Sequence, residues 1–241
     1  MIKLRNMLIA VIAIVGLSTS AWAGTVSLGV TTSLLDVGAS GSETDKLTAA
    51  GANVADTSIR TKSVSDQTLT GSLFAEYTTE SSYPLTFGFE YTPGEADIAN
   101  SSRTDTEGST TNNGIETDAT VTRTAKATAK NFNTVYLEAP IYKYLYVRAG
   151  LSSMDIDYSY ITTGAASGGA YQEEIDVSGT NLGIGLKGNT AGGMLWKMIY
   201  EETDFDGFSI TSTGNSVVGN SNTIKGDLET SAVRFSLAKS F

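Results

Sequence analysis

The chain has 241 residues, a formal net charge of -10, 25 glycines and three prolines, and it contains neither cysteine nor histidine. Without cysteine there is no disulfide framework and no thiolate metal site, and the acidity argues against nucleic acid as a partner, because phosphate binding depends on basic patches. Because histidine is the commonest general acid–base group, its absence predicts a protein that is not an enzyme. We expect no catalytic residues, no bound cofactor and no metal site.

The first predicted element is a leader. Lys3 and Arg5 precede an apolar run at 7–17, and Ala21-Trp22-Ala23 stands immediately before Gly24. A basic start, a short apolar segment and a small-residue cleavage site are the layout of a secretory signal peptide. The run is shorter than the ~20 residues that a spanning helix needs. We therefore expect residues 1–23 to be cleaved and residues 24–241 to form one exported domain.

Beyond the leader, eight segments alternate apolar residues with polar or small ones. Successive side chains of a strand point to opposite faces, so each segment predicts a strand with one apolar and one polar face. The clearest internal example places Leu85, Phe87 and Phe89 against Thr86, Gly88 and Glu90. The predicted strands lie at about residues 26–34, 69–77, 85–92, 134–139, 145–152, 181–187, 194–201 and 231–241.

The connections between these strands alternate strictly between long and short. Polar stretches at about 36–66, 93–126, 162–176 and 204–225 are long, whereas those at 79–84, 140–143 and 188–193 are short. Short turns on one side and long loops on the other are typical of an up-and-down barrel in lipid, with apolar residues outside and polar residues inside. Extra spans at 115–128 or 155–161 would raise the strand count from eight to ten. After Ser153 the apolar parity changes to Met154 and Ile156, which a bulge would explain, as would a strand that has left the membrane.

The final segment carries Val233, Phe235, Leu237 and Phe241 on one face. A terminal phenylalanine after such a strand resembles the C-terminal assembly signal of Gram-negative outer-membrane β-barrel proteins. With the leader and the loop rhythm, the mature chain resembles the OmpA barrel domain and the OmpX- and OmpW-like barrels. The resemblance implies a cell outer-membrane location with both termini periplasmic, and contact with outer-membrane lipid and lipopolysaccharide. It also implies that the barrel assembly machinery inserts the chain and that Val233, Phe235, Leu237 and Phe241 are its signal.

The inward parity collects four acids and four bases. An eight-stranded barrel is just wide enough for side chains to fill, and a buried charge is tolerable only when it is paired. We therefore predict a packed, mutually paired lumen, which argues against the hydrophobic, small-molecule-conducting interior suggested for OmpW-like proteins. A charged ion path is the alternative. The predicted lumen residues are Glu76, Glu90, Glu138, Arg148, Lys187, Lys197, Glu201 and Arg234.

Two functions remain open at this point. The first is a structural or surface-interaction barrel that displays four polar extracellular loops to an extracellular ligand, since loops on a rigid scaffold commonly carry recognition. The second is a narrow porin or channel for ions or small solutes.

Overall fold

The computed structural model describes residues 24–47, 56–110, 116–163, 174–211 and 221–241, and nearly all of them lie in β-strands. The predicted leader, 1–23, lies outside the described residues. The strands are β1 (Gly24–Leu47), β2 (Asp56–Thr79), β3 (Thr86–Thr110), β4 (Glu116–Tyr142), β5 (Leu145–Thr163), β6 (Glu174–Asn189), β7 (Met194–Phe205), β8 (Phe208–Thr211) and β9 (Ser221–Ser240).

Eight of these strands form a closed antiparallel ring. Each strand from β1 to β6 pairs with the next, β7 pairs with β9, and β9 returns to β1. The four-residue β8 pairs only with β9 and adds a short hairpin beyond the end of β7. The predicted eight-stranded up-and-down barrel is therefore confirmed. Among the described residues there is no helix of the length and apolarity that crossing a membrane requires.

Burial follows the alternation of the sequence. On β9, Val233 and Phe235 are exposed, whereas Arg234 and Ser236 are buried. The same parity on the other strands produces an outward ring of exposed apolar side chains, here called the apolar belt. Its members include Leu28, Val30, Leu34, Leu69, Leu73, Phe87, Leu137, Val147, Leu151, Leu182, Ile184, Leu186, Met198, Val233, Phe235 and Leu237.

One end of the barrel, here called the lower end, holds the short connections and both described chain ends. The connections are 80–85, 143–144 and 190–193, and Phe241 exchanges two backbone hydrogen bonds with Val26. Gly193 has a φ of 75°, a conformation that glycine adopts without steric cost. Exposed Tyr83, Tyr142, Tyr144 and Phe241 surround this end, as aromatic residues do at a membrane interface.

The strands extend much further from the lower end than predicted. β1 to β4 are 24 to 27 residues long, so most of the described residues in the polar stretches expected to be loops are strand. Described residues of 115–128 and all of 155–161 extend β4 and β5 and form no additional spans. These extensions are rich in threonine, which suits a pleated strand. Their outward faces are largely polar, so they lack the outward apolar residues on which the prediction depended.

The apolar parity change after Ser153 arises inside the barrel. Met154 and Ile156 continue the inward parity of Arg148 and Ser152, and all four are buried. The β5–β6 register runs without a shift, and the bulge nearby lies in β4, between Lys130 and Asn133. Inward side chains therefore change from polar to apolar at this height, where β5 rises above the apolar belt.

Candidate functional site

All eight charged side chains singled out in the sequence lie inside the barrel, where they form a continuous set of ion pairs, here called the lumen network. Seven of the residues are 4% exposed or less. Lys187, closest to the lower end, has a side chain that is 22% exposed. The network lies at the height of the apolar belt because its members alternate along the strands with the belt residues.

Glu138 on β4 is fully buried and accepts hydrogen bonds from three cations. Its carboxylate lies 2.8 Å from Arg148 Nη2, 2.8 Å from Lys197 Nζ and 3.1 Å from Lys187 Nζ. Lys197 also donates to Glu76 Oε2 at 2.6 Å. This lower half of the network therefore joins β2, β4, β5, β6 and β7 across the lumen.

The upper half of the network alternates two acids with two arginines. Arg148 Nη1 lies 3.3 Å from both Glu90 Oε2 and Glu201 Oε2. Arg234 pairs with the other oxygens of Glu90 and Glu201, and its Nε donates to Ser33 Oγ at 3.1 Å. Four acids and four bases thus neutralise one another, so no charge of the network is buried without an oppositely charged partner.

Three aromatic side chains complete the packing of the network. The Arg148 guanidinium stacks 3.9 Å from the Tyr136 ring centroid, and Tyr136 also donates to Glu76 Oε2 at 3.1 Å. Lys197 Nζ lies 4.9 Å from the Phe74 ring and 5.9 Å from the Tyr146 ring. These rings are not among the predicted lumen residues, although they share the inward parity of Glu76, Glu138 and Arg148 on their strands.

A sequence signal for these aromatic residues was available. Inward glycines on neighbouring strands leave room for the rings: a Cβ on Gly88 would overlap the Tyr136 ring, and one on Gly29 would overlap Phe74. An inward glycine opposite an inward aromatic residue therefore indicates a ring that lies over the glycine on the neighbouring strand.

Above the lumen network the interior becomes apolar, and the prediction of a lumen with paired charges did not include this layer. Six buried residues, here called the upper core, pack together inside the wall, and Leu35, Ile98 and Phe132 pack against them. The upper core consists of Val37, Met154, Ile156, Val177, Phe205 and Leu228. Val37 and Phe205 lie in stretches predicted to be loops. Met154 and Ile156 carry the changed parity that the sequence left open between a bulge and a strand beyond the membrane.

An acidic cluster lies on the wall at this height. Carboxylate oxygens of Asp155, Glu174 and Asp176 lie within 4.8 Å of one another. Asp155 accepts a hydrogen bond from Asn131 at 2.8 Å, and Lys130 Nζ lies 3.3 Å from Glu174. A 2.7 Å hydrogen bond to Asp157 also raises the pKa of the Lys130 ammonium. The cluster is therefore a group of ion pairs and hydrogen bonds on the barrel surface.

Comparisons with known proteins give likenesses of fold. No family model matches the chain, and no curated protein sequence matches it. Solved structures to which it is similar include the outer membrane protein OprG from Pseudomonas aeruginosa, with 14% identity, a TM-score of 0.44, and 91% of this chain and 97% of that chain covered. Another is the outer membrane protein AlkL, with 16% identity, a TM-score of 0.39, and coverage of 93% and 94%. A third is Ail, the attachment invasion locus protein of Yersinia pestis, with 10% identity, a TM-score of 0.33, and coverage of 88% and 98%.

The geometry defines the class of protein. The strands form a ring, as a structure surrounded by lipid requires. The ladder between β2 and β3 is the shortest in the ring and ends at Leu73 and Tyr91, just before Pro93. An apolar belt outside and paired charges inside complete the arrangement. The chain is a small transmembrane β-barrel of the Gram-negative outer-membrane type.

Proposed function

We propose that this protein is a structural and surface-interaction barrel: a closed membrane anchor that carries long strand hairpins outside the cell, where an extracellular ligand binds. The lumen network is the observation that carries the proposal. Ion pairs and aromatic rings cross the lumen at the height of the apolar belt, where a channel would need open space.

The orientation that we propose follows the usual arrangement of such barrels, with short turns in the periplasm and long connections outside. Both chain ends then lie in the periplasm, and the belt contacts outer-membrane lipid and lipopolysaccharide. We further propose that Val233, Phe235, Leu237 and Phe241 guide insertion by the barrel assembly machinery. They form the outward face of β9, the strand that closes the ring.

The proposal includes no enzymatic role. The chain has no histidine, and the ionisable groups of the lumen network are engaged with one another. Each carboxylate in it accepts at least one hydrogen bond from a lysine or arginine, so all four are occupied in holding the barrel together.

Single-channel conductance of the reconstituted protein in a planar bilayer tests the closed anchor against the narrow porin. We expect the unmodified protein to give no conductance steps. The double variant Glu138→Ala, Arg148→Ala removes one acid and one base from mid-lumen, keeps the net charge and is expected to produce small steps. Large, reproducible steps from the unmodified protein would refute the proposal and favour the narrow porin for ions or small solutes.

A matched variant separates the hairpins from the anchor. Removing residues 41–62 joins Ser40 to Ser63, which are cross-strand partners, and so shortens the β1–β2 hairpin without changing its register. We expect this variant to stay closed in the bilayer while cells that display it lose adhesion to surfaces to which cells with the full hairpin attach. Unchanged adhesion would argue against ligand binding by this hairpin.

A further inference from the structure

The two lysines of the lumen network have different surroundings. Lys197 is fully buried, and its Nζ lies 2.6 Å from Glu76 Oε2 and 2.8 Å from Glu138 Oε1. Lys187 contacts only Glu138, and its side chain is 22% exposed. A lysine amine is a nucleophile once it has lost a proton. The Lys197 amine therefore has a carboxyl group to attack and a second carboxylate to accept its proton, both within hydrogen-bond distance.

Three buried aromatic rings surround the Lys197 amine. The centroids of the Phe74, Tyr136 and Tyr146 rings lie 4.9, 5.3 and 5.9 Å from Nζ. An amine and a carboxyl group held in place react as though they were present at about 10⁵–10⁸ M. Because the rings exclude water, they also oppose the reverse reaction, hydrolysis. The site therefore favours condensation of the amine with a carboxyl group.

The pattern of ion pairs distinguishes the two carboxyl groups. Lys197 is the one cationic partner of Glu76 among the described residues. Glu138, in contrast, also pairs with Arg148 and Lys187. Joining Lys197 to Glu76 removes one positive and one negative charge and leaves every remaining charge of the network with a partner. Joining Lys197 to Glu138 would leave Glu76 buried as an unpaired anion, which is costly.

Tyr136 supports an attack on Glu76. Its hydroxyl donates to Glu76 Oε2 at 3.1 Å, the oxygen that also accepts from Lys197. A fixed donor at a carboxyl oxygen stabilises the negative charge that develops there when a nucleophile adds to the carbon. The terminal torsion of a glutamate is broad, so rotation about it turns the face of the carboxyl group towards Nζ.

We propose that Lys197 and Glu76 condense to an amide bond between their side chains after the barrel closes, and that Glu138 carries the proton. The bond from Nζ to Cδ of Glu76 forms, and one C–O bond of Glu76 breaks. The ammonium gives up two of its three protons, and the leaving oxygen departs with both as water. Glu138 accepts a proton from Nζ, passes it to that oxygen and ends as the carboxylate it was. No oxidant, reductant or further reactant takes part.

The amide would join β2 to β7, two strands that are not neighbours in the ring. The two residues are 121 positions apart in the chain, so the bond would enclose about half of the protein in a covalent loop. A chain closed in this way is more compact when denatured than an open one. We therefore expect the cross-linked protein to migrate faster than the open chain on a denaturing gel after boiling.

The mass of the full chain tests the proposal. The protein is refolded in micelles and sampled over time, and protein extracted from membranes is measured beside it. We expect the folded protein to lose the mass of one water molecule and the unfolded protein to keep its full mass. Trypsin should then release residues 63–103 joined to residues 188–225, because trypsin does not cleave after a lysine whose amine is acylated.

Three variants assign the roles. Lys197→Arg keeps the positive charge but has no amine to acylate, so it should keep its full mass. Glu138→Gln keeps the shape of the side chain but carries no proton between the two groups, and should slow the reaction about 100-fold. Lys187→Arg is the matched control, because Lys187 contacts Glu138 but not Glu76; it should react like the unmodified protein.

Full mass in the folded, unmodified protein would overturn the proposal, whatever the variants do. A loss of water that maps to a single unlinked peptide, or to a link between other residues, would also overturn it. An unchanged rate in Glu138→Gln would refute the role given to Glu138.

Discussion

Replacing Glu138 with alanine is the sharpest test of the lumen network. Removing one partner of a buried ion pair costs about 3–5 kcal/mol, because the remaining charge stays buried without compensation. Glu138 pairs with three cations. Without it, Arg148 retains Glu90 and Glu201, and Lys197 retains Glu76. Lys187 retains no acidic partner in the network, but it keeps the Thr86 hydroxyl and the Tyr146 ring. Because two of the three cations keep an acidic partner, we expect a loss near the lower end of that range, about 3 kcal/mol.

The assay is the free energy of unfolding in urea, measured on the refolded barrel in micelles. Asp97→Ala is the matched control, since Asp97 is an exposed acid whose salt bridge with Lys126 lies on the barrel surface. We expect the control to unfold like the unmodified protein. If Glu138→Ala lost less than about 1 kcal/mol, the size of an exposed pair, the idea that the network stabilises the barrel would be refuted.

Three further predictions concern the packing, the belt and the last strand. Gly88→Ala should lower the free energy of unfolding by about 1–3 kcal/mol because its Cβ would displace the Tyr136 ring; unchanged urea unfolding would contradict that packing. Ile184→Lys places a charge in the middle of the belt and should lower the free energy of unfolding in lipid by about 2–4 kcal/mol. Ile59→Lys, on the exposed β2 extension beyond the belt, should leave it unchanged. Equal losses for the two variants would mean that the belt is misplaced. Phe241→Ala should slow assembly in cells without slowing refolding in micelles. The appearance of heat-modifiable barrel over time measures both rates. Equal slowing in cells and in micelles would mean that Phe241 acts in folding itself.

The strands of the belt and their facing could be predicted because burial repeats with the two-residue period of a strand. Val233, Arg234 and Phe235 are typical, since lipid outside and a filled lumen inside impose opposite chemistry on neighbouring positions. The same parity put Glu138 and Arg148 on one surface. It did not show which acid pairs with which base, because pairing depends on the register between strands.

Three features could not be predicted from this two-residue alternation. Above the belt the wall has water outside and the upper core inside, so Met154 and Ile156 continue the inward parity while their chemistry changes. The ladder between β2 and β3 ends before Pro93, and the pattern of one strand says little about where its neighbour stops pairing. Tyr77, with outward parity, is buried beside Gly24 because a residue without a side chain leaves room for its ring.

The distribution of the lumen charges along the chain has a consequence for assembly. β1 to β4 contribute three acids and no base to the network, whereas β5 to β9 contribute four bases and a single acid, Glu201. The two halves of the chain are therefore electrostatic complements with opposite excess charge of three. Neither half can neutralise its own excess charge, so inserting the hairpins one at a time would leave unpaired lumen charges in lipid. The meeting of the halves and the neutralisation of the interior are one event, which makes closure cooperative and disfavours partly assembled barrels.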